Sequence, residues 1–249
     1  MLEILDSAVL IAPLIFLAAL LYSSVGHGGA SAYLAVMALV GVMPESMRPA
    51  ALILNVFVSS IALYKFYQAK AFSWQLLLPL IATSIPFALL GGLIKLPSEI
   101  YKPIVGFVLI FAAWQVFYRA NRNYIVSEKP ASKVALLGMG AALGLLSGLT
   151  GVGGGIFLSP LLLFLNWAET KVISGVAAAF ILVNSIAGLV GVLTKSPVLP
   201  NGLLYWALAA IVGGALGAEW GSRRLANPTI RKILALVLLV AGFKMVISG

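Results

Sequence analysis

The 249 residues are 62% hydrophobic and 9% charged, with a mean hydropathy of +1.10. Soluble domains average about 25% charged residues, so lipid rather than water is the expected surrounding of most of this chain. Cysteine is absent and histidine occurs once, which excludes disulfides and thiolate metal sites, and no P-loop or Ser-His-Asp pattern is present. No enzyme activity, cofactor or metal is therefore expected. The net charge of +9 lies in short loops between apolar runs, where basic residues set membrane orientation. It does not form the basic face that nucleic acid requires.

The first apolar segment is 8–25. Glu3 and Asp6 precede it where a signal peptide carries Lys or Arg, and the chain stays apolar afterwards, so it is read as a membrane segment. Gly26-His27-Gly28-Gly29 follows, flanked by Ser23, Ser24 and Ser31. Segments 28–42, 48–68, 74–94 and 102–118 complete a first half. A polar stretch at 119–132 reads as a surface linker. The second half has segments 133–150, 155–168, 172–193, 202–219 and 231–247. Between its first two segments lies Gly151-Val152-Gly153-Gly154-Gly155, preceded by Ser147 and Thr150.

The halves repeat. At an offset of 125, Gly26, Gly28 and Gly29 match Gly151, Gly153 and Gly154, and Ser60-Ile61-Ala62 matches Ser185-Ile186-Ala187. Colinear matches of this kind indicate duplication. Repeats are expected over 1–118 and 133–249.

Charge sets the topology. Alternate loops hold Lys65, Lys70, Arg119, Arg122, Lys129, Lys133, Lys171, Arg223, Arg224, Arg231 and Lys232, which is 11 of the 16 basic residues. Arg48, Lys95, Lys102, Lys195 and Lys244 fall on the other side. The positive-inside rule places the first set in the cytoplasm, and both termini outside. If 8–42 and 133–168 each crossed once as a broken helix, the split would be even. Each glycine motif is therefore the tip of a hairpin that returns to its own side. Each half then crosses an odd number of times, so the second repeat is inverted. The expected fold is all-α, polytopic, with two inverted repeats of a glycine-tipped hairpin plus three spanning helices, in the cell membrane. Re-entrant and fully spanning hairpins both remain open, with the tips expected near the midplane.

The tips suggest chemistry. The first N–H groups of a helix lack internal partners and carry partial positive charge, and glycine lets a ligand approach them. Two opposed tips make a neutral scaffold for an anion. The candidate residues are Ser24, Gly26, His27, Gly28, Gly29 and Ser31 on one tip, and Thr150, Gly151, Gly153, Gly154 and Gly155 on the other. Ser23, Ser147 and Ser159 add hydroxyls able to donate to oxyanion oxygens. Asn55 and Ser59, one turn apart, and Asn184 with Ser185 either line the path or bond neighbouring helices. His27 either carries a coupled proton or caps a backbone group. The bland alternative makes the glycines helix-packing residues, the expected role of Gly188, Gly191, Gly213, Gly214 and Gly217. Lys244 is expected to snorkel. The five tryptophans, mostly near segment ends, are expected at the membrane interfaces.

SVGHGGAS (24–31) and LTGVGGGIFLSPLL (149–162), each opening a half of the chain, resemble the sulfite exporter TauE/SafE family. The first motif departs from it, carrying Ala30 in place of a third glycine. The resemblance implies secondary transport of a small sulfur-containing anion, with that anion and the bilayer as partners. The resulting expectation is a carrier of sulfite or an organosulfonate by alternating access. An anion channel using the tips as a filter, and a non-transporting scaffold, remain as alternatives. The oligomeric state, including a homo-oligomer, is left open.

Overall fold

The computed structural model describes residues 2–118, 131–223 and 228–247, in which helices are the only regular structure. They are α1 (Leu2–Ser23), α2 (Ala30–Leu39), α3 (Pro44–Gln68), α4 (Trp74–Leu93), α5 (Ser98–Tyr118), α6 (Lys133–Thr150), α7 (Gly155–Phe164), α8 (Thr170–Leu193), α9 (Leu203–Arg223) and α10 (Pro228–Ile247). Most of the expected linker lies outside the described residues. Ser132, at its end, caps α6 by accepting the Ala135 N–H at 3.4 Å, a side-chain bond that satisfies one orphan donor.

Helices α3, α4, α6, α8 and residues Leu203–Ser222 of α9 are long and apolar enough to cross a membrane. Their outward faces carry Phe57, Leu78, Leu90, Leu137, Val190 and Leu208, side chains that lipid would cover. By contrast, α2 and α7 have 10 residues each. At 1.5 Å per residue they rise about 15 Å, half of a bilayer core of about 30 Å. The sequence predicts longer helices over 28–42 and 155–168. Local backbone explains the difference. Gly29 adopts a left-handed φ of 98°, so α2 begins at Ala30 rather than at 28, whereas α7 begins at Gly155 as expected, directly after left-handed Gly154 (φ 75°). Gly41 (φ 80°) and Asn166 (φ 55°) lie just beyond the other ends, where left-handed residues commonly terminate helices.

Packing crosses between the halves. α1 lies on α9 and α6 on α4, α5 on α10, α3 on α8, α4 on α8, and α9 on α3. Exchanging α1–α5 for α6–α10 maps these pairings onto themselves. Small residues bring the backbones together, as lipid-embedded helices require. A Cβ on Gly144 or Gly148 of α6 would run into Ser84 O or Ala88 O of α4, and one on Gly217 of α9 into Leu20 O of α1. Gly191 is as tight against α4, but Gly188 has ordinary room, its nearest neighbour being Gly148 Cα at 3.4 Å. Lys65 and Glu219 join α3 to α9 at 2.6 Å.

One expectation needs correction. Trp74, Trp114 and Trp220 are exposed, but Trp206 is 2% exposed and belongs to the core. Lys244 Nζ donates to Ala38 O and Leu39 O at 2.8 and 2.9 Å. It therefore neutralises the negative end of α2, a favourable place for a cation.

Candidate functional site

The two tips meet. Gly28 and Gly153 lie on either side of one side chain, Asn55 of α3. A Cβ on Gly28 would strike Asn55 Oδ1, and one on Gly153 would sit 2.6 Å from Asn55 Nδ2. Ile181 of α8 lies against Gly28, Gly153 and Gly155. Asn55 stands eleven residues into the 25-residue α3, so this meeting point is near mid-helix. Both tips, 26–30 and 150–155, are buried throughout.

Asn55 is fully buried and its amide is used on both sides. Oδ1 accepts the Ala30 N–H at 3.1 Å, occupying an N–H at the start of α2 that the sequence left for a ligand. Nδ2 donates to Ser185 Oγ at 3.3 Å and lies 3.4 Å from Val152 O. One amide therefore ties the first tip to the second and to α8. Ser59 donates back to Asn55 O, so its hydroxyl does not point at the tips.

His27 makes a second link. Its Nε2 is 3.2 Å from Gly155 O and 3.1 Å from Ser159 Oγ. A carbonyl oxygen only accepts, so Nε2 carries the proton toward Gly155. The ring also stands edge-on to Tyr22 at 6.2 Å. Of the two sequence readings of His27, the structure displays the capping geometry, across the halves rather than within its own tip.

Most expected hydroxyl donors are turned to structural bonds. Ser23 donates to Gly214 O at 2.8 Å, Ser24 to Leu21 O at 2.7 Å, and Ser31 to the Tyr22 hydroxyl at 2.9 Å. Thr150 donates to Leu146 O at 2.6 Å and accepts from the Val152 N–H at 3.3 Å, shaping its own tip. Ser147 differs. Its Oγ is buried without a hydrogen-bond partner, and its Cβ lies 3.5 Å from where a Gly154 Cβ would be. Asn184 lies on α8 beside Ser185. It donates to Phe180 O at 2.9 Å, and its Oδ1 is buried and unpaired.

Gly26 and Gly151, both left-handed (φ 75° and 82°), mark how far each tip reaches past the centre. Gly26 abuts the backbone of Ser174 in α8, and Gly151 that of Arg48 in α3. Sequence reasoning assigned Arg48 to a segment end and missed its place. It is 8% exposed and donates to Gly91 O and, at 2.8 Å, to Ile94 O. It also missed Tyr33, whose hydroxyl donates to Gly28 O at 2.7 Å, and Tyr101, which donates to Thr150 O at 3.1 Å. The available signal for Tyr22 and Tyr33 was their spacing, each four residues from a tip glycine.

One cavity lies away from the tips. It has a volume of about 270 Å³ and lies at the Pro44 end of α3, lined by Met43, Met47, Lys102 and Lys244 among others. Between the tips, Asn55 and Ile181 fill the space.

The sequence matches the family described as sulfite exporter TauE/SafE over residues 11–245. It is 38% identical over 234 residues to a probable membrane transporter protein of Sinorhizobium fredii, covering 92% of this chain and 94% of that one. Two further relatives are each 25% identical and likewise described as probable membrane transporter proteins. The one from Methanocaldococcus jannaschii covers 77% of this chain and 76% of its own length, and that from Bacillus subtilis 89% and 92%. No solved structure matches. The match runs through both glycine tips and the helices that hold them, and the chain is a multi-pass membrane protein of the sulfite exporter TauE/SafE family.

Proposed function

We propose that the protein is a secondary transporter that moves a small sulfur oxyanion, sulfite or an organosulfonate, by alternating access. The observation that carries this reading is the convergence of both tips on Asn55. Asn55 Oδ1 occupies the α2 N-terminus as an anion oxygen would, so binding exchanges one acceptor for a charged one. The buried, unpaired Ser147 hydroxyl beside Gly154 supplies a donor to the same anion. Two helix N-termini at up to about 2 kcal/mol each give about 4 kcal/mol, a millimolar affinity. That suits a carrier, which must release what it binds.

Tips closed around Asn55 and Ile181 favour a carrier over an open filter. The pairing of helices between halves, unchanged when the halves are exchanged, supports two repeats. Together with the charge bias, it fits an inverted pair with the termini outside.

The test is counterflow in proteoliposomes loaded with sulfite or ethanesulfonate. Trans-stimulated uptake is expected, with Gly28→Val and Gly154→Val abolishing both uptake and anion binding in folded protein. Undiminished binding in both variants would remove the tips from the site. Uptake without trans-stimulation would favour a channel, and indifference to every oxyanion a scaffold.

A further inference from the structure

We infer that Arg48 is a second anion-binding group, pairing with the transported oxyanion at the Pro44 end of α3 beside the second tip. This rests on the transport reading above and adds a charged residue to it. Arg48 is 8% exposed within an apolar bundle, on a helix long and apolar enough to span a membrane. A guanidinium stays charged, and an ionised group at such a place marks a functional site by default. Among the described residues no carboxylate pairs with it, Lys65–Glu219 being the ion pair there. The nearest acid in its own helix, Glu45, accepts from Ser98 Oγ at 3.5 Å instead.

Two of its nitrogens serve the carbonyl end of α4, through Gly91 O and Ile94 O. Capping alone leaves the rest unexplained, because Nε is buried with no partner. The other half of the chain supplies an internal comparison. Gly26 rests on Ser174 near the start of α8 as Gly151 rests on Arg48 near the start of α3. Ser174 there only donates to Thr170 O at 3.0 Å. Seating a tip on a helix therefore needs backbone contact and no guanidinium. Met47 and Lys102, chain neighbours of Arg48 and of the tip-bonded Tyr101, line the 270 Å³ cavity together with Lys244. Lys102 and Lys244 thus stand at the same end of the bundle as Arg48, with Glu45 and Glu99 there as well. A guanidinium suits an oxyanion with two or more oxygens, which it grips through parallel N–H bonds. A dianion gains more from that charge than a monoanion.

The experiment measures affinity of the purified protein for sulfite, at alkaline pH where it is the dianion, and for ethanesulfonate, a monoanion. The ratio of the two affinities is the readout, and the melting temperature controls for folding. Arg48→Gln is expected to lower the sulfite-to-ethanesulfonate ratio by at least about tenfold, the size of one charged hydrogen bond. Arg48→Lys keeps the charge and loses the fork, and is expected to lower it by about threefold. If the Gln variant does not fold, the Lys variant carries the test. An unchanged ratio in the folded variants overturns the inference, and if Gly154→Val still abolishes binding, the tip site stands without Arg48. Absence of binding by the unsubstituted protein overturns both.

Discussion

Replacing Asn55 by aspartate probes the meeting point with the smallest change of shape. In the native protein Oδ1 accepts from Ala30 N–H at 3.1 Å and Nδ2 faces Ser185 Oγ and Val152 O. A carboxylate keeps the first bond and places negative charge at a helix N-terminus, a favourable position by about 0.3–1 kcal/mol. The Ser185 hydroxyl can turn to donate to the second oxygen, and only the contact with Val152 O becomes repulsive. Asn55 is fully buried, so an ionised carboxylate there also loses its hydration, and Asn55→Asp is expected to fold with a melting temperature that falls where the carboxyl is charged. Its effect on an anion is large. A substrate bonded to the same N–H groups would lie about 5 Å from the new charge, and at an effective dielectric constant of about 20 the repulsion is about 3 kcal/mol. That weakens binding roughly two-hundredfold. The repulsion exists only where the carboxyl is ionised, so the penalty should grow as pH rises through its titration. Calorimetric titration with ethanesulfonate, whose own charge stays fixed across that range, reads the effect. Wild-type affinity at every pH in folded Asn55→Asp would refute an anion site at Asn55.

Three other expectations are independent of that one. Gly148→Ala should destabilise the protein by about 1–3 kcal/mol, because the added methyl runs into Ala88 O. Gly188→Ala, whose nearest neighbour is 3.4 Å away, should melt as the native protein does; equal melting of the two variants in detergent would contradict the packing account. His27→Gln can still donate toward Gly155 O and is expected to preserve substrate-for-substrate exchange; if His27 also carries a coupled proton, the variant abolishes pH-driven uptake. Normal pH-driven uptake would leave His27 only its bond between the tips. The chain has no native cysteine, so single cysteines at Ser127, outside the described residues, and at exposed Ser196 can be labelled cleanly. The first should react only from the cytoplasm and the second only from outside, and reaction from one shared side would overturn the inverted arrangement.

The sequence by itself determined the membrane class, the helical segments and the two tips. Those properties are local: apolar runs demand a lipid-facing helix, and clustered glycines interrupt one at a definite residue. Segment 133–150 coincides with α6, whereas 28–42 and 155–168 were too long, since apolar content does not register a left-handed residue such as Gly29 or Asn166. What lies between the tips was decided by tertiary structure alone. Asn55 is 25 residues from Ala30 and 130 from Ser185 along the chain, and no local rule says that its amide will cap one tip while bonding behind the other. Arg48 shows the same limit. At a segment boundary in sequence it resembles any orienting loop charge. Only the fold brings it to Gly91 O and Ile94 O at the end of α4 and to Gly151, where it is buried with no carboxylate partner among the described residues.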